Sequence, residues 1–276
     1  SLISLNSIIL HSSSLMSEMS DEWSLISLVD FLDKELNISE IPDYSGALNG
    51  LQLENPGEVT KIGAAVDASL PVIDKAVSEG VDLLFVHHGM FWQGATPLTR
   101  ANYSKIKKAI DGKMAIYSAH IPLDIHPHLG NNVLLAKLLE IHEPTPFFPW
   151  KGIDLGLAGS VDCSVAEMTE KLSEATGSQV HVCSGGANKI GRVGVITGGA
   201  GSEVSAVEAL GIDTFITGEG PHWSYTLAEE LNINVLYGGH YATETYGVKA
   251  VVELVAGRFG LKHTFIDHPT GMWAHV

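Results

Sequence analysis

Apolar and polar positions fall along this chain in two formats. The first is a short unbroken apolar run. Lys61-Ile-Gly-Ala-Ala-Val66, Asp82-Leu-Leu-Phe-Val86, Arg192-Val-Gly-Val-Ile-Thr197 and Asp213-Thr-Phe-Ile-Thr217 have this form, and residues 263–267 read as a final strand. Runs this short, bounded by Gly or Asp, predict strands buried on both faces. The second format is helical spacing. Residues 21–37 place Trp23, Ile26, Val29 (or Phe31), Leu32 and Leu36 on one face, with Asp21 as the expected cap. Ser69-Leu-Pro71 opens a helix that Gly80 ends, and residues 201–210 form one that Gly211 ends. Ser164-Val-Ala-Glu167 has the capping-box spacing for a helix to about Thr176, and residues 243–259 predict a long helix opening at Glu244. Asp43–Gln52 reads as a turn-rich loop. Residues 143–160, with Pro144, Pro146, Pro149 and several glycines, read as a connection.

Strand–helix–strand order implies parallel strands and right-handed crossovers. The unit occurs twice in register. Gly63 and Gly194, Gly80 and Gly211, Asp82 and Asp213, and Gly89 and Gly220 are each 131 residues apart. A second phrase repeats at a spacing of 120: Tyr117-Ser-Ala-His120-Ile-Pro-Leu-Asp124 and Tyr237-Gly-Gly-His240-Tyr-Ala-Thr-Glu244. Two copies in one order predict a duplicated α/β unit.

The length of 276 residues allows one large domain or two smaller ones. With 45% hydrophobic and 17% charged residues, the composition is that of an ordinary globular chain. The net charge of −16 argues against a nucleic-acid surface. No apolar run is long enough to span a membrane. Cys163 and Cys183 match no zinc or redox spacing and read as buried thiols of a cytoplasmic protein; the scattered Met and Trp residues read as core. Residues 1–19 are apolar and serine-rich and lack the basic start of a signal peptide. They read as an upstream leader or an artificial extension, with Met16 or Met19 as the sensible native start.

The chemistry concentrates at strand ends. His87 and His88 close one run, and His120 with Asp124 and His240 with Glu244 follow two others. Imidazole and carboxylate together are the ligand set of Zn²⁺, Mn²⁺ or Fe²⁺. Asp124 is the candidate bridging carboxylate. His120 is a ligand, a positioning group or a proton donor. Glu219 and His222, after Thr217-Gly, could line the same cleft, Glu219 as general acid or base or as a helix N-terminal acid. Gly198-Gly-Ala-Gly-Ser202 is either a phosphate cradle or a tight turn. His126 and His128 read as rim residues.

Taken together, Asn49-Gly-Leu-Gln52, Asp82 through His87-His88-Gly89, His120-Ile-Pro-Leu-Asp124 with Gly130-Asn-Asn132, Thr217-Gly-Glu219 and Gly239-His240-Tyr-Ala-Thr-Glu244 resemble the dinuclear-metal family named for the NGG-one interacting factor three. Bacterial members are often labelled GTP cyclohydrolase I type 2 homologues. The resemblance runs from about residue 21 to the end and matches the short form without an inserted domain. It implies an α/β fold of two interlinked, duplicated domains with mixed sheets flanked by helices. Residues 20–127 plus 238–276 would form one domain and 128–237 the other. It further implies two divalent ions at the domain interface on His87, His88, Asp124, His240 and Glu244, with His120 as an additional site histidine. A homohexamer and a small-molecule substrate complete the expectation. Members often carry a proline where Met90-Phe-Trp92 stands here. The expected activity is metal-dependent hydrolysis of a nucleotide, phosphoester or cyclic amide, with Glu219 or His120 moving protons. The rival is a non-enzymatic metal store, sensor or scaffold.

Overall fold

The computed structural model describes residues 23–271; the expectations for residues 1–19 and for Asp21 lie outside them. Strand β1 (Trp23–Ser24) leads into helix α1 (Leu25–Glu35), which buries Leu25, Leu28 and Leu32. Ser24 caps this helix, its hydroxyl accepting from Ser27 N–H. β2 (Gly50–Leu53) and β3 (Glu58–Val59) follow, β3 pairing with β1. Then come β4 (Lys61–Asp67), α2 (Leu70–Ser78), β5 (Leu83–His88), α3 (Arg100–Asp111), β6 (Ala115–Ser118), α4 (Ile121–Asp124) and α5 (Asn131–Leu138). The chain continues through β7 (His142–Trp150), β8 (Ile153–Ser160), α6 (Val165–Thr176), β9 (His181–Ser184) and β10 (Arg192–Val195). After a 3-10 turn at Gly201–Glu203 it runs through α7 (Val204–Ala209), β11 (Thr214–Thr217), α8 (Trp223–Glu230) and β12 (Asn234–Tyr237). It closes with α9 (His240–Thr243), α10 (Thr245–Phe259) and β13 (Lys262–Phe265).

Two mixed sheets result. The first has the order β13-β4-β5-β6-β2, parallel except for the antiparallel edge strand β2. The second has the order β7-β8-β10-β11-β12-β9, with three parallel strands at its centre and antiparallel strands outside them. Both faces of each sheet are covered, which is why the central strands are apolar without alternation. On the first sheet, Phe85 and Tyr117 pack against Leu28, Leu32 and the Val248, Val251, Val252 and Val255 stripe of α10. Leu84, Val86 and Ile116 pack on the other side against Ile73 of α2. The second sheet buries Val193, Ile216 and Leu236 under Met168 and Leu172 of α6, and Phe215 and Val235 under Val207 of α7.

The duplication extends to the hydrogen-bond register. Ile62, Gly63 and Ala64 pair with Leu83, Leu84 and Phe85; 131 residues on, Val193, Gly194 and Val195 pair with Thr214, Phe215 and Ile216. The Asp82 carboxylate accepts from the N–H groups of Thr60 (2.8 Å) and Lys61 (3.0 Å). The Asp213 carboxylate accepts from Gly191 (3.0 Å) and Arg192 (2.7 Å) in the same way. The next ladder is offset by 119, with Phe85 on Tyr117 and Ile216 on Leu236, although His120 and His240 are 120 apart. One residue is inserted between strand end and histidine: Ala119 precedes His120, whereas Gly238-Gly239 precede His240. The strand equivalent of Tyr117 is therefore Leu236, not Tyr237. Gly239 sits at φ +95°, where a side chain is strained.

Several other expectations are corrected. Residues 143–160 are not a linking segment but the hairpin β7–β8. Its prolines are tolerated because β7 is an edge strand, paired on one side only. The loop at Asp43–Gln52 ends in strand β2. The helix expected over 201–210 is a 3-10 turn followed by the short α7. The long helix does open at Glu244, which is the N-cap of α10, but the short α9 directly precedes it. Cys183 is buried, but Cys163 is partly exposed. Among the tryptophans, Trp23, Trp92 and Trp223 are exposed. No helix of the described residues is long and apolar enough to cross a membrane.

Candidate metal centre

The parallel strands of an α/β sheet deliver their following loops to one edge. β5 ends there on His87 and His88, whose rings lie 4.8 Å apart. β6 leads through Ala119 to His120 and to Asp124 at the end of α4. β12, in the other sheet, leads through the glycine pair to His240 and then Glu244. Glu244 is 2% exposed and His87 fully buried, so neither side chain is there to face water.

Each imidazole is held from behind. His87 Nδ1 lies 2.9 Å from the Ala119 carbonyl, and His88 Nδ1 lies 2.8 Å from Asp67. His120 Nδ1 lies 2.9 Å from Asp43, and His240 Nδ1 lies 2.9 Å from Glu219. Carbonyls and carboxylates only accept, so all four Nδ1 atoms donate and a neutral ring keeps a bare lone pair on Nε2. For three of the rings, those lone pairs face carboxylate oxygens. His87 Nε2 is 3.4 Å from Asp124 Oδ1 and 3.3 Å from Glu244 Oε1. Glu244 Oε2 is 3.4 Å from His88 Nε2 and 3.1 Å from His240 Nε2. His87 Nε2 and Glu244 Oε2 are buried and make no hydrogen bond among the described residues. Acceptors turned toward one another in a buried space require a cation between them, either a proton or a metal.

The ionisation of these side chains shows the same demand. Burial lowers the His87 pKa, but Asp124 and Glu244 outweigh it and hold the ring well above its ordinary value. Burial acts likewise on His240, where Glu244 and Glu219 push it up to about 10. Burial raises Glu244, but His240, His88 and His87 hold it well below the usual carboxylate range. Three sets of donor atoms, each within 4.8 Å of one another, could hold an ion: His87 with Asp124 and Glu244, His88 with His240 and Glu244, and His87 with His88 and His120. An Nδ1–H fixed by a carbonyl or carboxylate is the usual support of a metal-binding histidine. The residues fit a divalent metal.

The structure brings His87, His88, Asp124, His240, Glu244 and His120 together. Of the two carboxylates expected to bridge, Asp124 and Glu244, it is Glu244 whose two oxygens face separate histidines. Asp124 Oδ1 also accepts from Asn131 (2.8 Å) and Thr197 (3.3 Å). Glu219 stands on the far side of His240 from its Nε2 and orients that ring. His222 is exposed beyond this cluster. His126 is not a rim residue: it is buried, its Nδ1 accepts from the N–H groups of His128 and Leu129, and its Nε2 lies 3.2 Å from the Glu35 carbonyl, closing a turn.

The glycine-rich loop packs directly on the cluster. The N–H groups of Gly198, Ala200 and Gly201 donate to Thr243, Thr217 and Glu219. Gly198, at φ +76°, lies so close to the site that a Cβ would stand 2.2 Å from Glu244 Oε1. Residues that the sequence left without a role do much of the holding. Asp43 binds His120, Ile121 N–H and Asn49, and Asn49 receives His120 N–H. Asn131 ties Asp124 to Gly247 of α10. The motif residues Asn49 and Asn131 were visible in the sequence; Asp43 and Asp67 carried no spacing signal.

Comparison with known proteins gives a consistent result. The family model described as Duf34/NIF3 (NGG1p interacting factor 3) matches residues 24–271. A Pyrococcus abyssi protein named GTP cyclohydrolase 1 type 2 homolog is 42% identical over 251 residues, covering 89% of this chain and 98% of its own. A Deinococcus radiodurans protein of the same name is 37% identical over 247 residues, covering 89% and 93%. The crystal structure of TTHA1606 from Thermus thermophilus superimposes with a TM-score of 0.81 at 37% identity, covering 90% of this chain and 100% of that one.

Proposed function

The chain belongs to the Duf34/NIF3 family, and on that premise we propose that it is a hydrolase working with two divalent ions, Zn²⁺, Fe²⁺ or Mn²⁺. One ion would lie among His87, Asp124 and Glu244, the other among His88, His240 and Glu244, with Glu244 between them. The observation that carries this reading is the Glu244 carboxylate, buried and facing His87 with one oxygen and His88 and His240 with the other. Bound ions of this kind supply Lewis acidity and water that is acidic enough to ionise near neutral pH.

The chain's own residues supply position and proton handling. Asp67, Glu219 and the Ala119 carbonyl fix the tautomer and angle of three rings. His120, clamped by Asp43, lines the cavity in front of the cluster with its Nε2 edge free of that clamp, and is our candidate for moving a proton. Water adds to a carbon of a cyclic amide or amidine, the ring C–N bond breaks, and the departing nitrogen takes the proton. For a phosphoester the corresponding bond is P–O.

The test starts from protein purified without chelators. Elemental analysis is expected to find two ions per chain. Assayed with Mn²⁺, Fe²⁺ and Zn²⁺ against nucleotides, phosphoesters and cyclic amides, the protein should turn over a member of this panel, and a His87→Ala/Glu244→Ala double variant should not. Absence of stoichiometric metal overturns the site. Turnover no greater than that of the double variant overturns the hydrolase.

A further inference from the structure

A second cavity, of about 620 Å³, shares one lining residue, His240, with the cavity in front of the cluster. Its size is well within the range of small-molecule sites. Three parts of the chain wall it: the end of α6 with the turn after it, one side of α9 and α10, and the segment that follows β13. Helix α6 covers the second sheet and β13 belongs to the first, so the cavity lies on the seam between the two units. Tyr241, Tyr246 and Phe265 give it ring walls. Both tyrosine hydroxyls are already engaged. Tyr246 donates to the Ala175 carbonyl. Tyr241 donates to Asp267 Oδ1 (2.7 Å) and accepts from the His268 N–H (2.9 Å). These bonds hold the rings in place and leave their faces for an apolar body.

Charges of both signs meet here. Lys249 of α10 is half-buried, with Nζ 4.2 Å from the centre of the Phe265 ring. Lys61, Lys107, Lys108, Lys171 and Lys189 each face a carboxylate. Among the described residues Lys249 has no such partner, so its ammonium keeps donors for a ligand. Glu174 and Asp267 line the same cavity. Both are exposed, and Tyr241 occupies one oxygen of Asp267. A ligand bearing only a carboxylate would meet two acids, and a ligand bearing only an ammonium would meet the lysine. One cation and two acids around ring faces suit a ligand that carries both charges, and the tyrosine faces add attraction for an ammonium.

We infer that this cavity is a second small-molecule site, for a zwitterion with an apolar body, which is the chemistry of an apolar α-amino acid. The carboxylate pairs with Lys249, the ammonium turns to Glu174 and Asp267, and the side chain packs on Tyr241, Tyr246 and Phe265. The inference goes beyond the hydrolase reading and stands without it, because His87, His88, His120, Asp124 and Glu244 do not line this cavity. Lys249 in turn does not line the cavity in front of the cluster.

The experiment measures binding to the metal-loaded full chain by calorimetry. The probes are phenylalanine, 3-phenylpropionate and phenethylamine, which share a ring and differ in charge. Phenylalanine should bind roughly tenfold or more tightly than either single-charge analogue, the fold-change expected of one charge-assisted hydrogen bond. Lys249→Met keeps the aliphatic stem and removes the charge. It should weaken phenylalanine by a similar factor and leave phenethylamine unchanged, with native Tm and metal content. Lys249→Arg, which keeps the charge, should retain most of the affinity. The absence of phenylalanine binding, or an analogue that binds as tightly as phenylalanine, overturns the inference. So does phenylalanine binding that survives Lys249→Met, which would put the amino acid on the metal cluster instead. Because the analogue series is read on the unaltered chain, a Lys249→Met variant that fails to fold leaves the inference open to refutation. Turnover plays no part in these outcomes, so the hydrolase reading stands or falls separately.

Discussion

Gly198 shows how closely single residues are fitted to the cluster. Its φ of +76° and its contact with Glu244 leave no room for a methyl group. Gly198→Ala should displace the Glu244 carboxylate and lower metal content at least tenfold while the far-ultraviolet circular dichroism stays native; full metal occupancy in that variant would contradict the role assigned to Glu244. Asp43 gives a pH prediction. Burial raises its pKa, but the hydrogen bond and charge of His120, with Asn49 and Tyr44 N–H, outweigh this and hold it below the ordinary value of 3.8. A depressed folded pKa stabilises the protein fully above the unfolded value and loses that contribution as pH falls through the folded one. Acid titration of stability should therefore decline below about pH 4, with a shallower decline in Asp43→Asn. At this scale the sequence reading reached the inward-facing His87, His88, Asp124, His240 and Glu244, because strand ends announce them. It missed Asp43 and Asp67, because their partners lie 77 and 21 residues away and only folding brings them together.

Among the elements, the two parallel units repeat down to one carboxylate. Asp82 and Asp213 each bind two N–H groups at the start of the preceding strand. Replacing either by Ala should cost about 1.5–3 kcal/mol, the range for hydrogen bonds to charged groups, and chemical denaturation should give similar values for the two. A negligible cost at one site would break the structural equivalence. These units were legible because strands buried on both faces carry continuous apolar runs between Gly and Asp boundaries. The hairpin β7–β8 was not legible, because proline is read as an interruption unless the strand is known to be an edge. The inserted glycine ahead of His240 was equally hidden: the repeated His–acid phrase suggests one alignment, and only the ladder shows the strands aligned one residue differently.

In the whole molecule, the cluster joins two sheets through Glu244, at the junction of α9 and α10. An ion that binds only the folded state stabilises by mass action, about 2.7 kcal/mol at a hundredfold excess over Kd. For a chain of this size that corresponds to roughly 5–10 °C. Chelation should lower Tm by this amount and speed amide exchange first in residues 240–247; uniform exchange throughout the chain would argue against metal bracing of that junction. The two-sheet plan was readable from the duplicated pattern. The return of the chain to the first sheet, through α10 and β13, rested on family resemblance, since no local signal says which sheet a terminal strand joins.

That return has a consequence for synthesis. β4 lacks its neighbour β13, and the first core lacks the valines of α10, until the far end of the chain exists. Asp124 precedes Glu244 by 120 residues, roughly 6–24 s at ordinary elongation rates of about 5–20 residues per second. During that interval the nascent chain carries His87, His88, His120 and Asp124 but neither His240 nor Glu244. On the two-ion reading proposed above, both sites would be completed only in the last stretch of translation, and a chain truncated before Glu244 leaves the ribosome with its first sheet unfinished.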